Sequence, residues 1–156
     1  MPDFHPLIVH FPIALLTLYS LFEIVSIRKL QEKPYWFYVK AVFVIFGALG
    51  AIAMVITGQF ATYFVRGEAL AVMHQQFALA SAILSTIIAI MYALAWFGDP
   101  RNLPMLGKFL FNRGVMIPLA IAGLIIIFIT GGLHGAITFG TDFDPLMKPI
   151  FELLNL

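Results

Sequence analysis

The sequence predicts an all-α integral-membrane fold, a four-transmembrane-helix bundle running up-down-up-down and followed by a short interfacial helix. Three observations predict it. Of the 156 residues, 62% are hydrophobic and 11% charged, whereas a water-soluble domain carries about 25% charged side chains because its outside must face water. The apolar residues fall into four stretches, each long enough for the roughly 20 helical residues that cross a hydrocarbon core. The breaks between them collect the charges, prolines and glycines that a bilayer interior excludes. A single membrane domain over residues 1–156 is expected. A net charge of +1 argues against a nucleic-acid partner. The absence of cysteine excludes disulfides, iron–sulfur clusters and covalently attached haem.

The first stretch, Pro6–Ile27, opens on HPLIVHFPIAL (His5–Leu15). Pro6 suits the first helical position, where no hydrogen bond is lost; Pro12 either restarts the helix or frees the carbonyl of Ile8. No basic segment precedes the stretch and no small-residue cleavage site follows it, so it is expected to persist as a helix rather than be removed as a signal peptide. The charged break IRKLQEKPYW leads to the second stretch, Val39–Phe64, and VRGEAL leads to the third, Ala71–Phe97. GDPRNLPMLGKFLFNRG leads to the fourth, Val115–Phe139. Beyond it, Pro145 marks a helix start with Leu146, Ile150, Leu153 and Leu154 as an apolar face. That pattern predicts a helix lying on the membrane surface within 143–156.

Basic residues set the orientation. Arg28, Lys29, Lys33, Lys40, Arg101, Lys108 and Arg113 fall on the side of the first and third connections; Arg66 and Lys148 fall on the other. Seven of the nine basic residues thus mark one face as cytoplasmic and place both termini outside. Tyr35, Trp36 and Trp96 sit at the cytoplasmic boundary, where amphipathic rings belong. Glu23 lies within about one turn of it and is expected to reach toward water.

On this topology all four histidines, His5, His10, His74 and His134, come to the outer side at similar depth. Thr57, Gln59, Gln75, Gln76 and Thr130 lie at the same level, residue types that hydrogen-bond behind a ligating imidazole. Taken singly, each histidine reads as an interfacial residue satisfied by water or a backbone carbonyl; the joint placement carries the functional reading. A repeat sharpens it. HFPIAL (His10–Leu15) is similar to HQQFAL (His74–Leu79), and ITG recurs at Ile56–Gly58 and Ile129–Gly131. Two hairpins in parallel orientation would be related by a pseudo-twofold along the membrane normal. His10 and His74 then become equivalent and face each other across the bundle, with Gly58 and Gly131 leaving room between them.

That arrangement suits a flat macrocycle whose metal takes one imidazole from each side. Without cysteine the candidate is haem b, with His10 and His74 as axial ligands. Small residues also serve ordinary helix packing in membranes, which accounts for glycines without any cofactor. The alternative ligand is a bare zinc or copper ion drawing on His5, His10, His74 and His134. An unbroken helix would turn His5 and His10 about 140° apart, against their sharing one ion.

HPLIVHFPIAL, Thr57–Gly58 and His74 together resemble the HPxxVHFPIAL signature, the TG and the helix-opening histidine of a bacterial family of small four-helix membrane proteins of unknown function. TGGLHGAITFGTDF is similar to a TGHxGGxLTHGxxY pattern in relatives, but Gly132 and Phe139 stand where those carry histidine, and His134 where they carry glycine. Some relatives are fused to cytochrome c-like modules, which implies an electron-transfer setting in the bacterial cytoplasmic membrane. The leading expectation is therefore a membrane b-type cytochrome, passing electrons between the quinone pool or a respiratory enzyme and an outer-side partner. The alternative is a non-catalytic accessory subunit with structural histidines or a single metal ion; oligomer formation stays open under both. Nothing hydrolytic is legible: no nucleophile with a base at sensible spacing, no paired carboxylates, no phosphate-cradling glycine loop. The predicted orientation has a direct check. Cysteines introduced at Lys33 and Lys108 should be shielded from an impermeant thiol reagent in intact cells and one at Glu68 should react; the reverse labelling would overturn the outward histidine end.

Overall fold

The computed structural model describes residues 5–25, 30, 32–61, 69–98, 104–110, 112–142 and 144–154, and of residues 5–8 and 59–61 the backbone alone. Among them are six helices and no strand: α1 (His5–Ile24), α2 (Pro34–Ala61), α3 (Ala69–Phe97), α4 (Pro104–Leu110), α5 (Arg113–Phe139) and α6 (Lys148–Leu154). Helices α2, α3 and α5 are long and apolar enough to cross a membrane, while the apolar part of α1, Val9–Ile24, is shorter. Arg28, Lys29, Arg66, Glu68 and Arg101 lie outside the described residues.

The four long helices form a ring in chain order. α1 packs on α2 and α5, α3 packs on the same two, and α1 and α3 stand diagonally. Contacts at two levels in three of these pairs show that the neighbours run antiparallel. Glu23 meets Lys40 while Pro12 lies against Gly50; Tyr38 meets Trp96 while Met54 and Ala78 share a cluster. On the other side, Leu84 approaches Gly123 while His74 reaches Thr130.

Small residues let the backbones approach. Ala41, Ala48, Ala51, Ala82 and Ala120 are buried between helices, and a Cβ built on Gly47 would come within 2.6 Å of Leu16. Large apolar side chains instead face outward, among them Phe46, Leu49, Ile83, Ile87, Ile90 and Ile125. In lipid, helix association draws on close van der Waals packing rather than on hiding apolar surface from water, which is why small residues go inside and bulky ones out.

The helix ends depart from the sequence reading in ways that local chemistry explains. α2 starts at Pro34 rather than Val39, with proline in the first turn where its missing N–H costs nothing. α5 starts at Arg113 because Asn112 caps it, the side-chain oxygen accepting from Gly114 N at 2.9 Å. The third connection contains α4, which the glycine and proline signals concealed; Leu110 is buried and Lys108 and Phe109 are exposed. In α6 and the turn before it, Phe151 and Met147 face inward, whereas Leu153 and Leu146 of the expected apolar face are exposed. The segment docks on the ends of α3 and α5, with Leu133, Ala136 and Phe77 in the same cluster.

The largest correction concerns Glu23. It does not reach for water: it is 5% exposed, and both its oxygens accept from Lys40 Nζ, at 3.0 and 2.9 Å. The Tyr92 hydroxyl donates to the same carboxylate, Tyr19 packs edge-on against Tyr92, and the Lys40 ammonium lies 5.9 Å from the Tyr92 ring centre. Lys40, counted in the sequence as a flanking charge, is inside the bundle because only there does the carboxylate find a cation. Removing one partner strands a buried charge, which costs about 3–5 kcal/mol, whereas removing both together costs far less. Lys40→Met should therefore lower stability by about 3 kcal/mol and Glu23→Gln with Lys40→Met should recover most of it, measured by thermal unfolding in detergent.

Candidate functional site

At the end of the bundle away from Glu23, α3 begins and α5 finishes. Their antiparallel packing brings His74, six residues into α3, level with His134, one turn before the end of α5. The two rings lie 5.3 Å apart between centres and are tilted by 42°, and both side chains are half-buried. His74 Nδ1 lies 3.1 Å from the carbonyl oxygen of Thr130. Since a carbonyl only accepts, this bond puts the proton of a neutral His74 on Nδ1 and leaves Nε2 as the basic nitrogen. A backbone carbonyl behind one ring nitrogen is the usual support for an imidazole that ligates through the other.

The remaining residues singled out in the sequence fall around this pair. His10 is exposed on α1. Its three- and seven-residue spacing to Ile13 and Thr17 puts it on the same helix face as those two. Ile13 and Thr17 line a groove of about 370 Å³ against α5, together with Phe128, Gly131, Gly132 and Asp144. Gly131 is open there, with nothing within 4 Å of where a Cβ would stand. Gly58 is half-buried in the last turns of α2, and Gln75 and Gln76 are exposed. Thr57 and Thr130 do the same thing in their helices: each hydroxyl donates to the carbonyl four residues back, Thr57 to Ala53 at 2.9 Å and Thr130 to Ile126 at 2.7 Å. The two ITG segments thus share a local geometry, although threonines in membrane helices often bond this way. The side chains of His5 and Gln59 lie outside the described residues.

The pair that the structure brings together is thus His74 with His134. Among the described residues no group of three or more histidine, aspartate or glutamate side chains is placed to hold a metal ion. The Thr130 carbonyl is a partner that no side-chain inventory could have revealed. Met147 is another: it is fully buried and occupies the space over Gly132, where a Cβ would come within 2.2 Å of its sulfur. A methionine before a proline-containing helix carries no sequence signal for such a role.

Residues 2–140 match the model of a family described as Predicted membrane protein (DUF2231). The chain belongs to this family. Membership makes it a membrane protein, in agreement with its long apolar helices, and the matched region contains all four helices of the ring. No curated protein and no solved structure matches the chain. Whatever the histidine end does, α6 is held against it through Met147. Gly132→Val should expel that side chain, with a loss of about 1–3 kcal/mol and faster proteolytic cleavage before α6. An unchanged cleavage rate would show that Phe151 suffices to dock the segment.

Proposed function

We propose that the protein is an integral-membrane subunit in which all four long helices cross the bilayer and His74 and His134 bind a single transition-metal ion, zinc or copper. The ring-centre separation of 5.3 Å carries this reading. Two imidazoles on one tetrahedral ion, bound at about 2.0–2.1 Å, hold their ring centres about 5.2 Å apart. Axial ligands on opposite sides of a haem iron hold them about 6.3 Å apart. The Thr130 carbonyl supports the same assignment, because a bond to it through Nδ1 makes Nε2 the basic nitrogen of a neutral His74. With two protein ligands, the remaining positions fall to water or to a ligand such as His5, and the ion stays open to exchange or to a partner's donor. The crossing of α1 rests on its 20 residues, about 30 Å of helix, and on its antiparallel packing along α2. The histidine end then lies toward the outer face of the bacterial cytoplasmic membrane, following the basic residues.

One observation favours the haem b reading as a second possibility: α1 and α3 are diagonal, so His10 and His74 would approach a macrocycle from opposite sides. In that case the protein carries electrons to a cytochrome c-like or respiratory partner. Metal analysis and reduced-minus-oxidised spectra of four single alanine variants separate the two. The expected result is a colourless protein binding one equivalent of zinc or copper, with affinity at least tenfold lower in His74→Ala and in His134→Ala and unchanged in His10→Ala. A low-spin haem spectrum lost in His10→Ala and His74→Ala but retained in His134→Ala would replace this reading with the cytochrome. Absence of both metal and haem after supplementation would remove both.

A further inference from the structure

The opposite end of the bundle holds a second cavity, about 370 Å³ in volume, between the start of α2, the start of α5 and the end of α1. Its charged lining consists of Lys33, Lys40 and Arg113 with Glu23 and Glu32. Glu23 is already matched by Lys40 and by the Tyr92 hydroxyl, which leaves Lys33 and Arg113 against the single exposed carboxylate of Glu32. Among the described residues the lining is therefore cationic by one charge.

Donors exceed acceptors there as well. An ammonium has three N–H donors, and Glu23 takes two of those on Lys40, so one remains. Trp36 lines the cavity, and its indole N–H is buried without a hydrogen-bond partner among the described residues. A buried donor left unpaired costs about 1–3 kcal/mol, and such a group calls for an explanation in a ligand or a water. Arg113 adds a planar fork of donors suited to the oxygens of a phosphate. The lining also has an apolar and aromatic part, which includes Phe37, Leu110 and Met116.

From these features we infer that the cavity is a binding site for a phosphate group, held by Arg113, Lys33 and the third N–H of Lys40, with Trp36 in its wall. The Glu23 carboxylate acts as a positioning group that fixes the Lys40 ammonium at the cavity wall. The phosphate is carried either by a lipid headgroup, whose chains would follow the apolar wall, or by a soluble ester. This site is independent of the histidine pair, which lies at the other end of α3 and α5.

The test uses the full chain in a maltoside detergent, which contributes no phosphate. Trp36 and Trp96 are the two tryptophans of the chain, so in a Trp96→Phe variant the emission reports on Trp36. Inorganic phosphate and short-chain phosphatidylglycerol are titrated separately, and phosphorus NMR line widths of both probes are followed with the unmodified protein. At least one probe should shift the emission saturably and broaden its phosphorus line. Arg113→Gln, at the exposed first residue of α5, should weaken that binding about tenfold, with helix content unchanged by circular dichroism. Response to phosphatidylglycerol alone assigns a lipid headgroup; response to inorganic phosphate assigns a soluble phosphate. Unbroadened lines with both probes, or an Arg113→Gln affinity equal to that of the unmodified protein, would overturn the proposal.

Discussion

The structure is organised by what lipid does to a charge. An ionised side chain within the bundle has little water to fall back on, so it meets a counter-ion and fills further hydrogen bonds from neighbouring helices. Glu23 and Lys40 satisfy that requirement between α1 and α2, and Tyr92 extends it to α3. Three of the four long helices are tied at one end by a single carboxylate. Because ion pairing and the tyrosine bond both need defined geometry, this contact fixes the register of α1 on α2 in a way that the apolar contacts further along do not.

Between the ends, the bundle depends on shape. Buried alanines and the close approach of Leu16 to Gly47 bring helices near enough for dispersion to accumulate. Polar side chains in this middle zone mostly turn back on their own helices: Ser85 donates to the carbonyl of Ser81 at 2.8 Å as Thr57 and Thr130 do to theirs. Such bonds satisfy a hydroxyl without linking helices; among the described residues, the links of Glu23 with Lys40 and Tyr92 lie at one end of the bundle. The histidine end adds one, from His74 across to the Thr130 carbonyl.

Much of this was legible in the amino-acid pattern. The apolar stretches located the long helices to within a few residues, because a run of that length has few other ways to satisfy its backbone in lipid. The shared level of His74 and His134 also followed, since alternating helix direction is a matter of counting. What could not be read was which side chains touch. Glu23 and Lys40 are separated by a charged connection, and each alone looked like a residue at the water boundary. The likeness of HFPIAL to HQQFAL marks His10 and His74 as equivalent positions, but equivalence is a statement about symmetry and not about contact. In a ring built in chain order, His74 has α5 as its immediate neighbour, and the imidazole it meets there is that of His134. α4 and the inward face of α6 were hidden for a simpler reason: short helices held by one or two buried side chains leave no periodicity long enough to recognise.

The Glu23–Lys40 contact also bears on how the chain enters the bilayer. Taken one at a time, α1 would carry an uncompensated negative charge into lipid and α2 an uncompensated positive one. Taken as a hairpin, the two enter with no net charge, joined by a connection short enough that they meet as soon as both have been made. As a pair, α1 and α2 therefore offer lipid a compensated contact in place of two separate charges, and the same contact sets their register.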